Sequence, residues 1–258
     1  VINQIVIADC LDALMHLEPN TVDMTVFSPP YDAIRDYQDK PEFDLTGLGQ
    51  ELFRITKDGG ICAMVMNDGT KDGAKSLTTF RTVVRWCDLI GWRLFETVIY
   101  ARDGKPGAWW TKRFRVDHEY ILLFLKGQRP AYFSKEHLKI PAKHAGKTWA
   151  GTQRLTDGSL IEIEKTLQGP MKCRGTIWKY KTSNTEGNKL KMQHPATMPD
   201  QLAEDLIRTF TKMGDLVLDP MCGSGTTLVA AKKSGRNYLG IDISQDYCEI
   251  AKRRLTNE

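Results

Sequence analysis

The sequence has no apolar run approaching the roughly 18 residues needed to cross a membrane, and no basic-then-apolar leader opens it. It therefore reads as an intracellular chain, with no membrane partner expected. Its 6 cysteines, at positions 10, 62, 87, 173, 222 and 248, never adopt a CxxC spacing. That argues against a zinc site or a disulfide framework and for free thiols in a reducing cytoplasm, so no metal is expected. GxGxxG and GxxxxGKS/T are also absent, which leaves NAD, FAD or nucleoside triphosphate binding without direct support. There is no internal repeat and no low-complexity tract.

What is present is a chain of 258 residues, long enough to bury a substantial core. It reads as one α/β domain carrying a large insertion. The net charge of +4 is unevenly placed: residues 102–191 hold 19 Lys or Arg against 8 Asp or Glu, and the remainder holds 17 against 24. Trp109, Trp110, Phe114, Tyr132, Phe133, Trp149, Trp178 and Tyr180 are set among those cations. Cations interleaved with aromatics favour a surface that meets phosphate over a merely solvated face.

Hydrophobic periodicity organises the rest. The runs around Ile5–Cys10, Thr21–Phe27 and Ile61–Met66 predict buried strands, the last entered through a turn at Asp58-Gly59-Gly60. Helical spacing covers Leu11–Leu17, Leu45–Ile55 and Leu77–Ile90, and a polar loop runs from Asn67 to Lys75. Strands follow in WRLFETVIYA and HEYILLFLK. From Gly127 to about Lys191 no period is sustained, and so long a stretch inside a compact domain predicts an insertion with its own small fold. Order returns with an amphipathic helix after Pro199, the strand LVLD, a glycine turn, a helix, the strand NYLGIDI and a terminal helix. Helices alternating with short β-rich runs indicate a largely parallel sheet covered on both faces.

Two short segments carry chemistry. Ser28-Pro29-Pro30-Tyr31 closes an apolar run, and tandem prolines there fix the backbone and remove two N–H donors. The result is a rigid rim with an exposed carbonyl acceptor, a hydroxyl before it and a ring after it, suited to a planar group bearing an amine. The second segment is Asp219-Pro220-Met221-Cys222-Gly223-Ser224-Gly225-Thr226-Thr227, a strand end, glycine turn and helix start. Glycines admit close approach of backbone N–H groups to a ligand, and a helix N-terminus attracts a carboxylate or phosphate. Asp242 ends the next strand, where an acid accepts hydrogen bonds from ribose hydroxyls.

In this order, with LGIDIS and an IAKRRL helix at the end, the two segments resemble the beta class of DNA amino-methyltransferases. Similar tetrapeptides occur in methyltransferases acting on RNA and on protein glutamine, but there the glycine motif comes first. The resemblance implies a Rossmann-like α/β methyltransferase fold, with a mostly parallel seven-stranded sheet and an inserted target-recognition region. The divisions are a catalytic half over residues 1–126, the inserted region over 127–191 and a cofactor-binding half over 192–258. It implies S-adenosylmethionine as cofactor and double-stranded DNA as substrate. It implies also that Asp9 with Cys10, His194 with Pro195, Asp219 through Thr226, and Asp242 with Ile243 form the cofactor site. Met221 stands where the family has an aromatic residue, and Met198 where a lysine is common.

Within this resemblance the catalytic residues are Ser28, Pro29, Pro30 and Tyr31. An exocyclic amine of a base is a poor nucleophile because its lone pair is delocalised into the ring. Acceptance of its hydrogens by the Ser28 hydroxyl and the Pro29 carbonyl would localise that pair, with Tyr31 stacked on a base flipped out of the duplex. Arg35 and Tyr37 are placed to guide the flipped strand, and Arg102, Lys112, Arg113 and Arg115 to hold phosphates. Serine in the first position is more typical of family members modifying cytosine N4, and aspartate of those modifying adenine N6; cytosine N4 is favoured. No Pro-Cys dipeptide occurs, which disfavours ring-carbon methylation of cytosine. An intact tetrapeptide argues against a catalytically inactive DNA-binding protein. The family further suggests a cytoplasmic protein of a prokaryote or phage, a homodimer, and a restriction endonuclease partner.

Overall fold

Runs rich in Val, Ile and aromatic residues form the strands, because such side chains fit a pleated, half-buried surface. The computed structural model describes residues 2–30, 43–103, 114, 116–181 and 198–257. In chain order, Gln4–Ile7 (β1) leads to helix Cys10–Met15 (α1), Val22–Phe27 (β2) precedes helix Leu45–Ile55 (α2), and Thr56–Met66 is β3. A tight hairpin, Thr70–Lys71 (β4) with Ala74–Lys75 (β5), is followed by helix Thr78–Arg85 (α3), then Arg93–Asp103 (β6) and His118–Leu125 (β7). Lys139–Pro141 (β8), Thr148–Arg154 (β9), Leu160–Leu167 (β10) and Met171–Cys173 (β11) come next, and then Ile177–Lys181 (β12). The chain closes with Asp200–Phe210 (α4), Leu216–Asp219 (β13), Thr226–Lys233 (α5), Asn237–Asp242 (β14) and Gln245–Asn257 (α6).

The main sheet is a Rossmann-like α/β sheet in the order β1-β14-β13-β2-β3-β7-β6-β12. Only β7 runs against its neighbours, pairing antiparallel with both β3 and β6. The sheet thus has eight strands among the described residues where seven were expected. The additional strand is β12, which adds to β6 in parallel with Ile177 opposite Ile99 and Lys181 opposite Asp103. Its residues alternate, with Trp178 and Tyr180 inward and the two lysines outward, so a short strand lay hidden in a lysine-rich stretch. The Tyr180 hydroxyl is 2.6 Å from the Asp205 carboxylate, tying this edge to α4.

Successive side chains on a strand face opposite ways, and both faces are covered. On one face Leu239 and Ile241 of β14 join Leu14 of α1, Leu48 and Leu52 of α2, Trp86 and Phe124 in the main core. On the other, Tyr238 joins Leu228, Val229 and Leu255 from α5 and α6. Two local departures from the expected elements have steric causes. Helix α3 widens at Trp86–Ile90 into a π turn, which ends at Gly91 with φ +103°. The π turn lets Trp86 stack on Trp92, with centroids 5.9 Å apart, while its indole donates to the Leu45 carbonyl at 2.9 Å. A Cβ on Gly49 would lie 2.5 Å from the Trp86 ring, so α2 must carry glycine there. Second, β3 already begins at Thr56. Asp58-Gly59-Gly60 is a kink within it, with Gly59 at φ +78° and a register slip against β2 between Val22 and Met24.

A separate compact unit comprises Lys135–Gly175; the larger unit comprises Val1–Ser134 and Thr176–Glu258. In the smaller unit β8 pairs antiparallel with β11, and β9 with β10. Backbone bonds from Ala142 to the Pro170 carbonyl and from Gly146 to the Gln168 carbonyl, both 2.9 Å, join the two ladders. The unit is narrower than residues 127–191. Ala131 donates to the Gly59 carbonyl and Ser134 to the Thr209 carbonyl, each at 2.9 Å, within the larger unit, as β12 is. No helix among the described residues is long and apolar enough to cross a membrane.

Candidate active site

Strands β1, β14, β13 and β2 are adjacent and parallel, so their carboxyl ends share one edge of the sheet. Asp9 lies two residues beyond β1, Asp242 and Asp219 end β14 and β13, and Ser28 directly follows β2. The connection leaving β13 passes through α5 on one face; the connection leaving β2 passes through α2 on the other. Between β13 and β2 the two connections diverge, and open α/β sheets bind ligands in the crevice so formed.

The glycine turn that follows β13 lies at this strand-end edge and is tightly constrained. Gly223 has φ +49° and Gly225 φ +80°, conformations that L side chains rarely adopt. A Cβ on Gly225 would also stand 2.7 Å from Cβ of Ala251, so α6 presses on the turn from behind. Gly225 N–H closes the turn on the Cys222 carbonyl at 2.7 Å, and Cys222 N–H reaches the Ile241 carbonyl at 2.9 Å. The Asp242 carboxylate accepts from Gly223 N–H at 2.8 Å with one oxygen and from Ser244 N–H at 2.9 Å with the other. Each carboxylate oxygen has a second lone pair, so acceptor capacity is left for a ligand. Ile243, beside it, is 59% exposed, an apolar surface at the same strand end.

Asp9 caps α1, its Oδ1 accepting from Leu11 N–H at 2.8 Å and Asp12 N–H at 3.4 Å. This acid, expected in the cofactor site, thus holds a helix start with one oxygen. Burial, helped by the Asp9 charge, pushes the neighbouring Cys10 thiol up to about 11, so it stays neutral. Asp219 is different. Burial pushes its carboxyl up to about 7, against hydrogen bonds from Thr227 and the Met221 N–H that lower it, with the Asp242 charge adding to the rise. Its Oδ1 accepts from Met221 at 3.0 Å. Pro220 continues this turn, and Met221 packs half-buried against the main core. Cys222, Ser224 and Thr226 are buried.

The glycine turn is joined directly to the proline rim. Thr227, the second residue of α5, has its hydroxyl within hydrogen-bonding reach of both the Asp219 carboxyl and the Val26 carbonyl of β2, the latter 3.2 Å away and two residues before Ser28, and its single proton serves one of them at a time. Ser28 itself is exposed, Pro29 is buried and Pro30 half-buried, so the hydroxyl faces outward from a fixed base. Beside it, at the end of β3, Asn67 and Asp68 are buried. Asn67 donates to the His118 carbonyl at 2.7 Å, and Asp68 accepts from Thr79 N–H at 2.8 Å, bracing the loop before α3.

Tyr31, Arg35, Tyr37, Lys112, Arg113, Arg115, His194 and Pro195 lie outside the described residues. Arg102 is described, and its guanidinium donates to the Val116 carbonyl at 2.7 Å and pairs with Glu119 at 3.5 Å. Those contacts leave it fewer donors for a phosphate. Sequence reasoning passed over Arg254, whose buried guanidinium donates to the Ser224 carbonyl at 2.9 Å. Among the described residues no group of three or more His, Cys, Asp or Glu could hold a metal ion.

Known proteins resemble this chain in sequence and in fold. A DNA methylase family profile of the N6/N4 type matches residues 22–253. The orphan methyltransferase M.BamHII of Bacillus amyloliquefaciens is 35% identical over 240 residues, covering 92% of this chain and 89% of that protein. Among solved structures, the cytosine-N4-specific PvuII DNA methyltransferase superposes with a TM-score of 0.74 at 20% identity, over 97% of this chain and 85% of that one. M1.HpyAVI, solved as a complex with SAM, superposes with a TM-score of 0.62 at 20% identity, covering 98% of each chain. The two superpositions establish the Rossmann-like methyltransferase fold, and the family match with the M.BamHII identity establishes descent. The chain belongs to the DNA methylase family of N6- and N4-type amino-methyltransferases.

Proposed function

We propose that this protein transfers a methyl group from S-adenosylmethionine to an exocyclic amine of a base flipped out of double-stranded DNA, with cytosine N4 the favoured acceptor. The observation that carries the reading is the Thr227 hydroxyl on the Val26 carbonyl, 3.2 Å away, which joins the glycine turn to the strand bearing Ser28. A cofactor turn and an amine-accepting rim thereby share one crevice.

The residues present fit the cofactor. Asp242, with spare acceptor capacity, suits ribose hydroxyls; exposed Ile243 offers an apolar surface to a purine; and the start of α5 favours a carboxylate. Asp9, Cys10, Asp219 through Thr226, His194 and Pro195 complete the proposed set. When bound, S-adenosylmethionine supplies an electrophilic methyl on a sulfonium. The chain's own residues do the rest by placement. The Ser28 hydroxyl and Pro29 carbonyl accept the two amino hydrogens and draw the nitrogen toward tetrahedral geometry, and Pro30 keeps that carbonyl fixed. Tyr31 stacks on the base face. Positioned acceptors in a water-poor site cost no reorganisation when charge develops, so no covalent enzyme intermediate is needed.

Phosphate contacts fall to Arg102, Lys112, Arg113 and Arg115, guidance of the flipped strand to Arg35 and Tyr37, and target recognition to the region inserted within residues 127–191. Phosphate contacts position and base-edge contacts specify, so the two sets differ in what their loss changes. Serine at position 28 supports cytosine N4, although adenine N6 presents the same two hydrogens to the same acceptors. Sequencing DNA from cells expressing the protein, with detection of modified bases, tests the proposal. N4-methylcytosine at one defined sequence is expected; N6-methyladenine would reverse the base assignment, and unmodified DNA from cells with soluble protein would overturn the function. Copurification from the same cells would reveal a second copy of the chain or a restriction endonuclease.

A further inference from the structure

In its sequence Arg254 is one of two adjacent arginines on an amphipathic helix, a pattern that ordinarily means a solvated face. In the fold its side chain is 0% exposed. The guanidinium donates to the Ser224 carbonyl at 2.9 Å and the Thr226 hydroxyl at 3.2 Å, and pairs with Asp200, the first residue of α4, at 3.1 Å. One side chain from α6 thus bridges the middle of the glycine turn to the start of another helix.

Stability alone does not account for this placement. Burying a guanidinium carries a desolvation penalty of about several kcal/mol before its partners repay it. This one also sits at the N-terminal end of α5, where the helix dipole disfavours a cation. Its effect is local and geometric. The Ser224 carbonyl lies between two glycines in left-handed conformations, φ +49° and +80°, in a stretch with little conformational restraint of its own. Asp242 anchors the turn before it, through Gly223 N–H at 2.8 Å, and the Cys222 carbonyl closes it through Gly225 N–H at 2.7 Å. Arg254 holds the peptide between those anchors. Fixing a carbonyl fixes the plane of its peptide and hence the aim of the N–H groups around it.

We propose that Arg254 is a positioning residue for the cofactor: with Asp200 holding it, it sets the turn from Cys222 to Thr226 in the shape that binds S-adenosylmethionine. This rests on the proposed function, since the turn has to be the cofactor's. Lysine keeps the charge, but its three donors radiate from one nitrogen, whereas the Ser224 carbonyl and Asp200 are met by two separate nitrogens of the planar guanidinium, a geometry lysine does not reproduce. None of the three bonds reaches Ser28 or Pro29, so the loss belongs to affinity and not to the methyl-transfer step.

The test uses the full chain as wild type, Arg254→Lys and Asp200→Asn, with S-adenosylmethionine affinity measured by calorimetry. Apoprotein Tm and the single-turnover methylation rate at saturating cofactor are measured alongside. Arg254→Lys is expected to weaken cofactor binding by about tenfold or more, the size of one lost charge-assisted hydrogen bond. The saturated rate should stay within about twofold of wild type, well below the tenfold step that one such bond represents. A lowered Tm with an unchanged Kd, or a loss confined to the saturated rate, would overturn the proposal. Should Arg254→Lys fail to fold, Asp200→Asn decides: it leaves the guanidinium in place, and a Kd equal to wild type contradicts the inference whereas a weaker one supports it. A wild-type protein that binds no S-adenosylmethionine would instead overturn the assigned function itself.

Discussion

The larger unit and the unit of Lys135–Gly175 are built on different principles. The larger unit carries 28 Lys or Arg and 28 Asp or Glu, while the smaller carries 8 and 4, so the whole net charge of the chain resides in the smaller one. At the strand ends of the larger unit, Asp242 and Asp68 spend their carboxylates on named backbone donors, and two glycines take left-handed conformations between fixed anchors. In the smaller unit the buried apolar side chains are Leu138 and Ala142 among the described residues, while Leu160, Ile161, Ile163 and Leu167 are 44–67% exposed. Two backbone ladders carry it, and these four apolar residues face outward. Chemistry needs atoms held to fractions of an ångström; a surface that contacts a partner needs only a framework from which its side chains can be exchanged.

The sharpest way to test that contrast is to remove an anchor from the rigid unit. Asp242→Ala deletes the acceptor for Gly223 and Ser244, leaving two N–H groups unmatched, and takes the proposed ribose acceptor with it. Cofactor affinity measured by calorimetry should fall by about 30-fold or more, corresponding to roughly 2 kcal/mol for the loss of a charged hydrogen-bond acceptor. Next in size is Gly225→Ala. Its φ of +80° and the 2.7 Å approach to Ala251 should lower stability in urea melts by about 1–3 kcal/mol. Gly151→Ala in the smaller unit meets nothing within 4 Å and should shift the melt by less than about 0.5 kcal/mol.

A pH series probes the buried acid. The folded state raises the Asp219 carboxyl from 3.8 to about 7, so the protonated form is favoured on folding. Its stabilising contribution is complete below pH 3.8, declines as pH rises and is lost above about 7. Asparagine keeps the shape without the charge. The Tm of Asp219→Asn relative to wild type should therefore climb across that window and level off above it; a constant difference would contradict the assignment. The smallest effect is expected on the hairpin of β9 and β10. Ile161→Thr and Ile163→Thr, 44% and 48% exposed, should each change stability by less than about 0.5 kcal/mol. A larger loss would mean that this face is packed and not a contact surface.

Much of the larger unit was legible from the chain, for a physical reason. Asp242, Asp219 and Ser28 each end an apolar run, and in a parallel sheet the ends of such runs share one edge. The glycines and prolines beside them fix backbone shape with few neighbours, so short strings carry the geometry. What could not be read depends on contacts distant in sequence. Arg254 meets residues 30 and 54 positions away, and nothing in the AKRRL string distinguishes it from Arg253. Strand β12 exists because β6 offers it an edge, and its own five residues give too short a pattern. The seat of the Trp86 ring needs the absent side chain of Gly49, on another helix.

The most direct test of the account is the single-turnover rate of methyl transfer from S-adenosylmethionine to duplex DNA by Ser28→Ala, set beside its cofactor affinity. Ser28 is exposed at the end of β2 and bears none of the glycine turn's hydrogen bonds described above. The account predicts a rate lower by about 30- to 1,000-fold, corresponding to roughly 2–4 kcal/mol for one lost acceptor, with Kd for the cofactor within about twofold. An unchanged rate, or a loss that appears wholly in cofactor binding, would contradict the assignment of the proline rim as the site that holds the methyl-accepting amine.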